Sequence, residues 1–371
     1  MNKKILAMLL ALVMILAACG GSPEPAPTDE TTDTGEDTRT PASDLNVGVF
    51  YYDYSDVYIS TVRAELDKLL DAEGINYTNY DAANTQPTQT DQVTSAITAG
   101  TNLLVVNVVE TSSADAAQGI ADQAKLADIP VIFFNREVAD EVIQSYDKAA
   151  FIGTNAPEAG HMQGEMIAEY LLANYDAVDL NGDGTISYVM FKGQEGNAEA
   201  EARTQFAVED ADKLLTEGGK NALEFYDSNN AQKYLVDTAG AWSAQASQDY
   251  MQTILSTYSE ANNNMVELVI ANNDGMAEGA IAALQNAGYN REGATVIPVF
   301  GVDATETAVA KIDAGEMIGS IKQDNVGMAE TINALIKNVN SGSELMANTE
   351  SYNVDEGVAK IRVPYSKYTA N

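Results

Sequence analysis

From Asn46 onward, short apolar runs alternate with stretches whose apolar residues recur at helical spacing. The runs Asn46–Tyr51, Ile75–Asp81, Leu103–Val108 and Val131–Asn135 predict strands, with helices over Val57–Asp71, Gln89–Ala99 and Ser113–Ala127 between them. After Phe151-Ile152-Gly153 a second series begins. Its predicted helices are Pro157–Tyr175, Ala198–Glu217, Ser243–Tyr258, Gly275–Ala287, Thr305–Ala314 and Val326–Asn340. The intervening strands are Ile186–Lys192, Leu223–Tyr226, Val266–Ala271, Val296–Val302 and Ile318–Gln323. Such alternation makes βαβ units, so each series predicts a parallel-rich sheet with helices on both faces. Two series of similar size predict two similar α/β lobes, and no short fixed repeat interrupts them.

The first 45 residues follow another pattern. Lys3 and Lys4 precede an apolar run, Ile5 to Ile15, too short for a spanning helix. The run ends in Leu16-Ala17-Ala18-Cys19-Gly20, which resembles the lipobox of a bacterial lipoprotein. The expectation is cleavage of residues 1–18 and lipidation of Cys19, the only cysteine, which also rules out disulfides within the chain. Residues 19–45, dominated after Cys19 by Pro, Thr, Asp, Glu, Gly and Ser, read as a disordered acidic tether. Together they place a soluble body at the outer face of a cell membrane. The chain's formal charge of −35 argues against nucleic acid and anionic lipid as partners.

Ligands of open α/β sheets bind beyond the carboxyl ends of the strands. There the sequence places Asp56, Tyr58, Asn107, Asn135-Arg136-Glu137, Asn197, Glu199, Asn272-Asn273-Asp274, Asp303 and Gln323. Each alone reads as an ordinary N-cap or turn residue. So many Asp, Asn and Gln at strand ends together point to a polar, uncharged ligand. Catalytic and cofactor patterns are sparse. No GxGxxG follows a strand, and there is no phosphate loop. The single histidine, His161, lies in a predicted helix and has no cysteine or histidine partner for zinc.

One loop carries metal chemistry. Asp179, Asn181, Asp183 and Ser187 place oxygens at the first, third, fifth and ninth positions of an EF-hand-like loop, with Gly184 at the sixth and the Thr185 carbonyl at the seventh. The twelfth position is Met190 rather than Glu, so a calcium ion would need a carboxylate from elsewhere, and Glu267 is the candidate.

At these residues the chain resembles the galactose/glucose-binding proteins of bacterial sugar ABC transporters, in the periplasmic binding protein superfamily. The resemblance runs from about Asn46 to Tyr365. It is carried by Val47-Gly48-Val49, Ile129-Pro130-Val131-Ile132-Phe133-Phe134-Asn135, Ser145-Tyr146-Asp147-Lys148-Ala149 and Ala200-Glu201-Ala202-Arg203-Thr204. Val269-Ile270-Ala271-Asn272-Asn273-Asp274, Ile297 to Ala304 and Arg362-Val363-Pro364-Tyr365 complete it. It implies a type I fold of two lobes joined by three crossings, near Gly153–Asn155, Gln323–Asn325 and Ala359–Ile361. The first lobe would then take 46–153 and 325–359, the second 155–323 and 361–371.

It also implies a hexose site. Asp56, Asn107, Arg203, Asn273 and Asp303 match sugar-contacting positions directly. Tyr58 stands for a Phe, Asn197 for a His, Glu199 for an Asp and Gln323 for an Asn, and Trp242 corresponds to a stacking Trp after a one-residue shift. Glu199 and Arg203, four apart on one helical face, are expected to pair. The same resemblance implies structural calcium on Asp179, Asn181, Asp183, the Thr185 carbonyl, Ser187 and Glu267. The implied partners are a hexose (glucose, galactose or a methyl galactoside), a membrane permease and a chemoreceptor or sensor, with the protein a monomer. Two rival readings are a glycosidase and a sugar-responsive regulator. The latter needs an N-terminal helix-turn-helix, where residues 1–45 read as leader and tether.

Overall fold

The structure is a computed structural model and describes residues 44–370. The leader, Cys19 and all of the tether up to residue 43 lie outside the described residues. Leu45, assigned above to the tether, is instead buried in the first hydrophobic core.

The first lobe opens with β1 (Asn46–Tyr51), α1 (Val57–Glu73), β2 (Asn76–Asp81), α2 (Gln86–Thr98) and β3 (Leu103–Val106). It continues through α3 (Asp115–Leu126), β4 (Val131–Asn135), the short α4 (Asp140–Gln144) and β5 (Ala149–Gly153). The chain then crosses and builds α5 (Ala156–Val178), β6 (Ser187–Lys192), α6 (Ala198–Glu217), β7 (Glu224–Phe225), β8 (Leu235–Val236) and α7 (Ala244–Leu255). The second lobe is completed by β9 (Leu268–Ala271), α8 (Asp274–Ala287), β10 (Val299–Asp303), α9 (Glu306–Asp313) and β11 (Gly319–Gln323). A return crossing leads to α10 (Asn325–Asn340), β12 (Asn353–Val354) and β13 (Lys360–Arg362), and a final one to β14 (Tyr365–Thr369).

Two seven-stranded sheets result, in the orders β12-β13-β5-β4-β3-β1-β2 and β14-β11-β10-β9-β6-β7, with β8 also pairing β6. Pairing is parallel except for β12 on β13 and β14 on β11. Strand alternation explains the double facing of each sheet. In β1, Val47, Val49 and Tyr51 enter the core under α1 and α10, while Phe50 enters the core under α2 and α3. In β6, Tyr188 and Met190 face α5 and α6, while Val189 and Phe191 face α7 and α8.

Sheet membership corrects the third crossing. Lys360, Ile361 and Arg362 pair with Phe151, Ile152 and Gly153 of the first lobe, and Tyr365 pairs with Gln323 of the second. The crossing is therefore Val363-Pro364, not Ala359–Ile361, and the second-lobe tail starts at Tyr365 rather than at 361. Lys360 is anchored within the first lobe: its buried ammonium is held by Glu137, Asp140 and the Val138 carbonyl.

Candidate functional site

A cavity lies between the lobes at the carboxyl ends of both sheets. The first lobe contributes Tyr52, Asp56, Tyr58, Ile59, Asn135 and Arg136, and the second Asn197, Glu199, Arg203, Trp242, Asn273, Asp303 and Gln323. The lobes also meet directly around it. Asn84 donates to the Ala239 carbonyl at 2.8 Å, Asn197 Nδ2 to Thr111 Oγ1 at 3.3 Å, and Arg136 to Gln194.

Several of these side chains are helix caps, which is why their oxygens sit at helix N-termini. Asp56 Oδ1 accepts from the Ile59 N–H, Asn197 Oδ1 from Ala200 and Asn273 Oδ1 from Met276. The cap uses one atom of each group and fixes the direction of the other. Asp56 Oδ2 accepts the Tyr52 hydroxyl, and Asn273 Nδ2 donates to the Trp242 carbonyl at 3.3 Å.

The backbone is bent to the same end. Asn135 (φ 64°), Trp242 (φ 56°) and Asp303 (φ 120°) all line the cavity with left-handed φ. Such conformations cost about 1–3 kcal/mol each and persist where packing imposes them. Gly193 makes room for Trp242, since a methyl there would overlap the indole.

The cavity's electrostatics come from buried groups left short of partners. Both Glu199 carboxylate oxygens, Arg203 Nε, Gln323 Nε2 and the Tyr58 hydroxyl are buried with no hydrogen-bond partner. Burial pushes Glu199 up to about 7, aided by the Glu137 carboxylate and opposed by Arg203. Burial also raises Asp303 far above the carboxylate range against the pull of Arg203, with Asp274 behind it adding repulsion. Asp56 is raised more modestly, because burial is opposed by the Ile59 N–H and the Tyr52 hydroxyl.

Two expectations need correction. Asn107 stands behind the cavity wall, not in it. Its Nδ2 donates to the Phe134 carbonyl at 3.1 Å and to Asn135 Oδ1 at 3.2 Å, so it orients Asn135. Glu199 and Arg203 do not pair. Arg203 donates instead to the Asn272 carbonyl, Gln323 Oε1 and the Tyr365 hydroxyl. The other nine expected binding residues line the cavity together. Tyr52, Ile59 and Arg136 were not among them, nor was Asn135. Arg136 and Asn135 end β4 in the same polar style as the rest. The Arg136 guanidinium lies 3.9 Å from the Tyr52 ring centroid, a contact without a sequence signal.

In the loop 179–187, Asp179 accepts from the Gly182 and Gly184 N–H groups, Asn181 Oδ1 from Asp183 and Asp183 Oδ1 from Thr185. Glu267, expected within a strand Val266–Ala271, directly precedes β9. Its Oε1 accepts from Leu180 and Asn181, and its Oε2 from Ser187 N–H and Oγ. The all-oxygen donor set suits a hard cation. The oxygens are turned to the loop's own amides, and among the described residues no three acidic, His or Cys side chains form a ready metal cluster.

A family model for the periplasmic binding protein domain matches residues 47–344. The chain belongs to this family. Its periplasmic binding protein fold recurs in solved structures. A Clostridium phytofermentans ABC transporter solute-binding protein with bound β-D-glucose aligns at TM-score 0.67 and 24% identity, over 88% of this chain and 94% of that one. A Caulobacter myo-inositol-binding protein aligns at TM-score 0.65 and 20% identity, over 88% and 94%. Among sequence relatives, the D-galactose/methyl-galactoside binding periplasmic protein of Haemophilus influenzae is 34% identical, over 87% of this chain and 89% of its own length. A putative rhizopine-binding protein of Rhizobium meliloti is 30% identical, over 71% and 74%.

Proposed function

We propose that this periplasmic binding protein is the substrate-binding component of a sugar ABC transporter, taking a neutral hexose between its lobes and releasing it unchanged to a permease. The observation that carries the reading is the set of unpaired buried groups converging on one cavity: Glu199, Arg203 Nε, Gln323 Nε2 and the Tyr58 hydroxyl. A sugar hydroxyl donates and accepts at once, so one ring of hydroxyls satisfies acids and donors alike. Each buried group left unpaired costs about 1–3 kcal/mol, which a matching ligand removes. Trp242 and Tyr58 supply flat faces for the sugar's C–H surface. The galactoside-binding relative supports a hexose over other sugars.

Binding residues come from both lobes, so the ligand holds the cleft shut and the permease reads the shut form. Asp56, Tyr52, Asn135 and Arg136 present one wall, and Asn197, Glu199, Asn273, Asp303 and Gln323 the other. Calcium on the loop 179–187 with Glu267 is proposed as a structural ion of the second lobe, remote from the sugar. A lipid on Cys19 is proposed as the anchor at the extracytoplasmic membrane face; Cys19→Ala is expected to release the protein from membranes.

A glycosidase remains the rival, because a carboxyl held near neutrality suits a general acid. Titration calorimetry against glucose, galactose and methyl galactoside, with product analysis of the cell contents, decides. Stoichiometric heat without product is expected. No heat with any of the three refutes the hexose reading, and product replaces the binder with an enzyme.

A further inference from the structure

The three crossings between the lobes converge on a single ligand-facing side chain. Arg203, from α6, lines the cavity. Its Nη2 donates to Gln323 Oε1 at 3.2 Å and to the Tyr365 hydroxyl at 2.8 Å. Gln323 is the last residue before the second crossing, and Tyr365 the first after the third. The Tyr365 hydroxyl in turn shares a 2.8 Å hydrogen bond with Thr154 Oγ1, in the first crossing. Arg362 Nη1 donates to the Thr154 carbonyl at 2.7 Å and joins the first and third crossings a second time. Neither Tyr365 nor Thr154 lines the cavity, and both are buried.

We infer that Tyr365 and Thr154 are positioning residues that act through Arg203, holding its guanidinium toward the ligand and tying its occupancy to the angle of the hinge. The inference rests on the proposal that a sugar occupies the cleft. Arg203 has five donors, and Nη1 is fixed separately by the Asn272 carbonyl at 2.8 Å. Nε is the one guanidinium nitrogen left without a partner, and it is buried. A ligand oxygen accepting from Nε therefore engages a group whose far end holds Gln323 and Tyr365 directly and reaches Thr154 through the Tyr365 hydroxyl. When the crossings rotate, Thr154, Gln323 and Tyr365 move relative to one another, and Arg203 loses its place. Ligand and closed hinge thus favour each other reciprocally, as linkage requires. The buried Thr154–Tyr365 pair is also a bond that can be removed from either side, which makes its coupling to Arg203 measurable.

Tyr365→Phe and Thr154→Val each delete one hydroxyl and keep the shape. The full chain, labelled once in each lobe, would be followed by single-molecule energy transfer, with sugar affinity measured by calorimetry on the same proteins. Each variant is expected to lose at least tenfold in affinity and to populate open distances both without sugar and at saturation. The double variant is expected to be no worse than Tyr365→Phe alone, because the phenol hydroxyl already carries both bonds, to Thr154 and to Arg203. A purely structural role would instead lower the melting temperature and leave affinity and distance distributions of the folded fraction unchanged, and that result overturns the inference. Additive losses overturn it too. If the parent binds no sugar, the functional reading fails on its own, and the sugar-free distance distribution still decides this inference: an unchanged distribution in Tyr365→Phe refutes it.

Discussion

Asp274 Oδ2 accepts the backbone N–H of Thr305 at 2.8 Å, so a fully buried carboxylate on α8 pins the turn that carries Asp303 into the cavity. Its Oδ1 accepts the Ser320 hydroxyl at 2.7 Å, and Ser320 Oγ in turn accepts the Ala304 N–H at 2.9 Å. Both restraints act where φ is left-handed, 120° at Asp303 and 50° at Ala304. Gly301 leaves the space Asp274 occupies, since a methyl there would overlap its carboxylate. Asp274→Ala is expected to release the turn and strand the Thr305 N–H, a loss of about 1–3 kcal/mol. Sugar affinity should fall at least tenfold. Asp274→Asn should be milder, because one acceptor remains and the Ser320 hydroxyl can reverse. Calorimetry on the three proteins ranks them; equal affinities would refute the role.

Stability should fall as pH rises toward alkaline. Burial holds Glu199 at about 7 against its ordinary 4.5, and Asp274 at about 7 against 3.8, with Asp303 also raised. The folded protein then binds protons that the unfolded chain releases. Their stabilising contribution is fully present below the ordinary carboxylate values and is lost as pH rises through about 7. The sugar-free protein should therefore melt higher at about pH 5.5 than at about pH 8, and Glu199→Gln should flatten the difference. A melting temperature that climbs over this interval, or a variant with the parent's slope, would contradict it.

The long elements were legible because periodicity and caps agreed. Val131–Asn135 and Ala198–Glu217 begin and end where the pattern placed them, the latter with Asn197 as its cap. The C-terminal strands β12, β13 and β14 were not: β12 and β13 are short, and the partners of β13 and β14 are remote in sequence, Ile361 pairing with Ile152 and Tyr365 with Gln323. The site was legible as polar residues at strand ends, but not which way each turns. Asn107 sits where a ligand contact belongs, yet β3 has ended at Val106 and the Asn107 amide turns to Phe134 and Asn135. Glu199 and Arg203 have the spacing of an ion pair, yet Arg203 is drawn off by Tyr365 and Gln323.

Trp242 is the chain's only tryptophan and lines the cavity, so its fluorescence should report sugar directly. Gly193→Ala would place a methyl against the indole and push the ring from its seat. Overpacking of this kind costs about 1–3 kcal/mol. The variant should bind sugar more weakly and show a smaller change in indole emission on titration. A parent-like titration curve would mean that the ring's position is immaterial to binding.

Calcium should stabilise the second lobe, and the loop's own bonding shows how to test it without confusion. Glu267 accepts from Leu180, Asn181 and Ser187, so removing it strands backbone N–H groups whether or not a metal binds. Asp183 is the better probe: it is an expected ligand on the exposed part of the loop, holding only the Thr185 N–H and the Asn181 amide. The three carboxylates Asp179, Asp183 and Glu267 together raise the neighbouring Tyr175, after burial itself, which marks a concentrated negative potential there. A divalent cation would relieve that repulsion in the folded state alone. Stabilisation then follows RT ln(1 + [L]/Kd), about 2.7 kcal/mol at a hundredfold excess over Kd. Metal-stripped parent should melt higher with calcium than with chelator. Asp183→Ala should abolish most of that difference while shifting the chelated melting temperature little, and sugar affinity should be unchanged in both. If the stripped parent melts identically with calcium and with chelator, the loop is an acidic turn stapled by Glu267 and not a metal site.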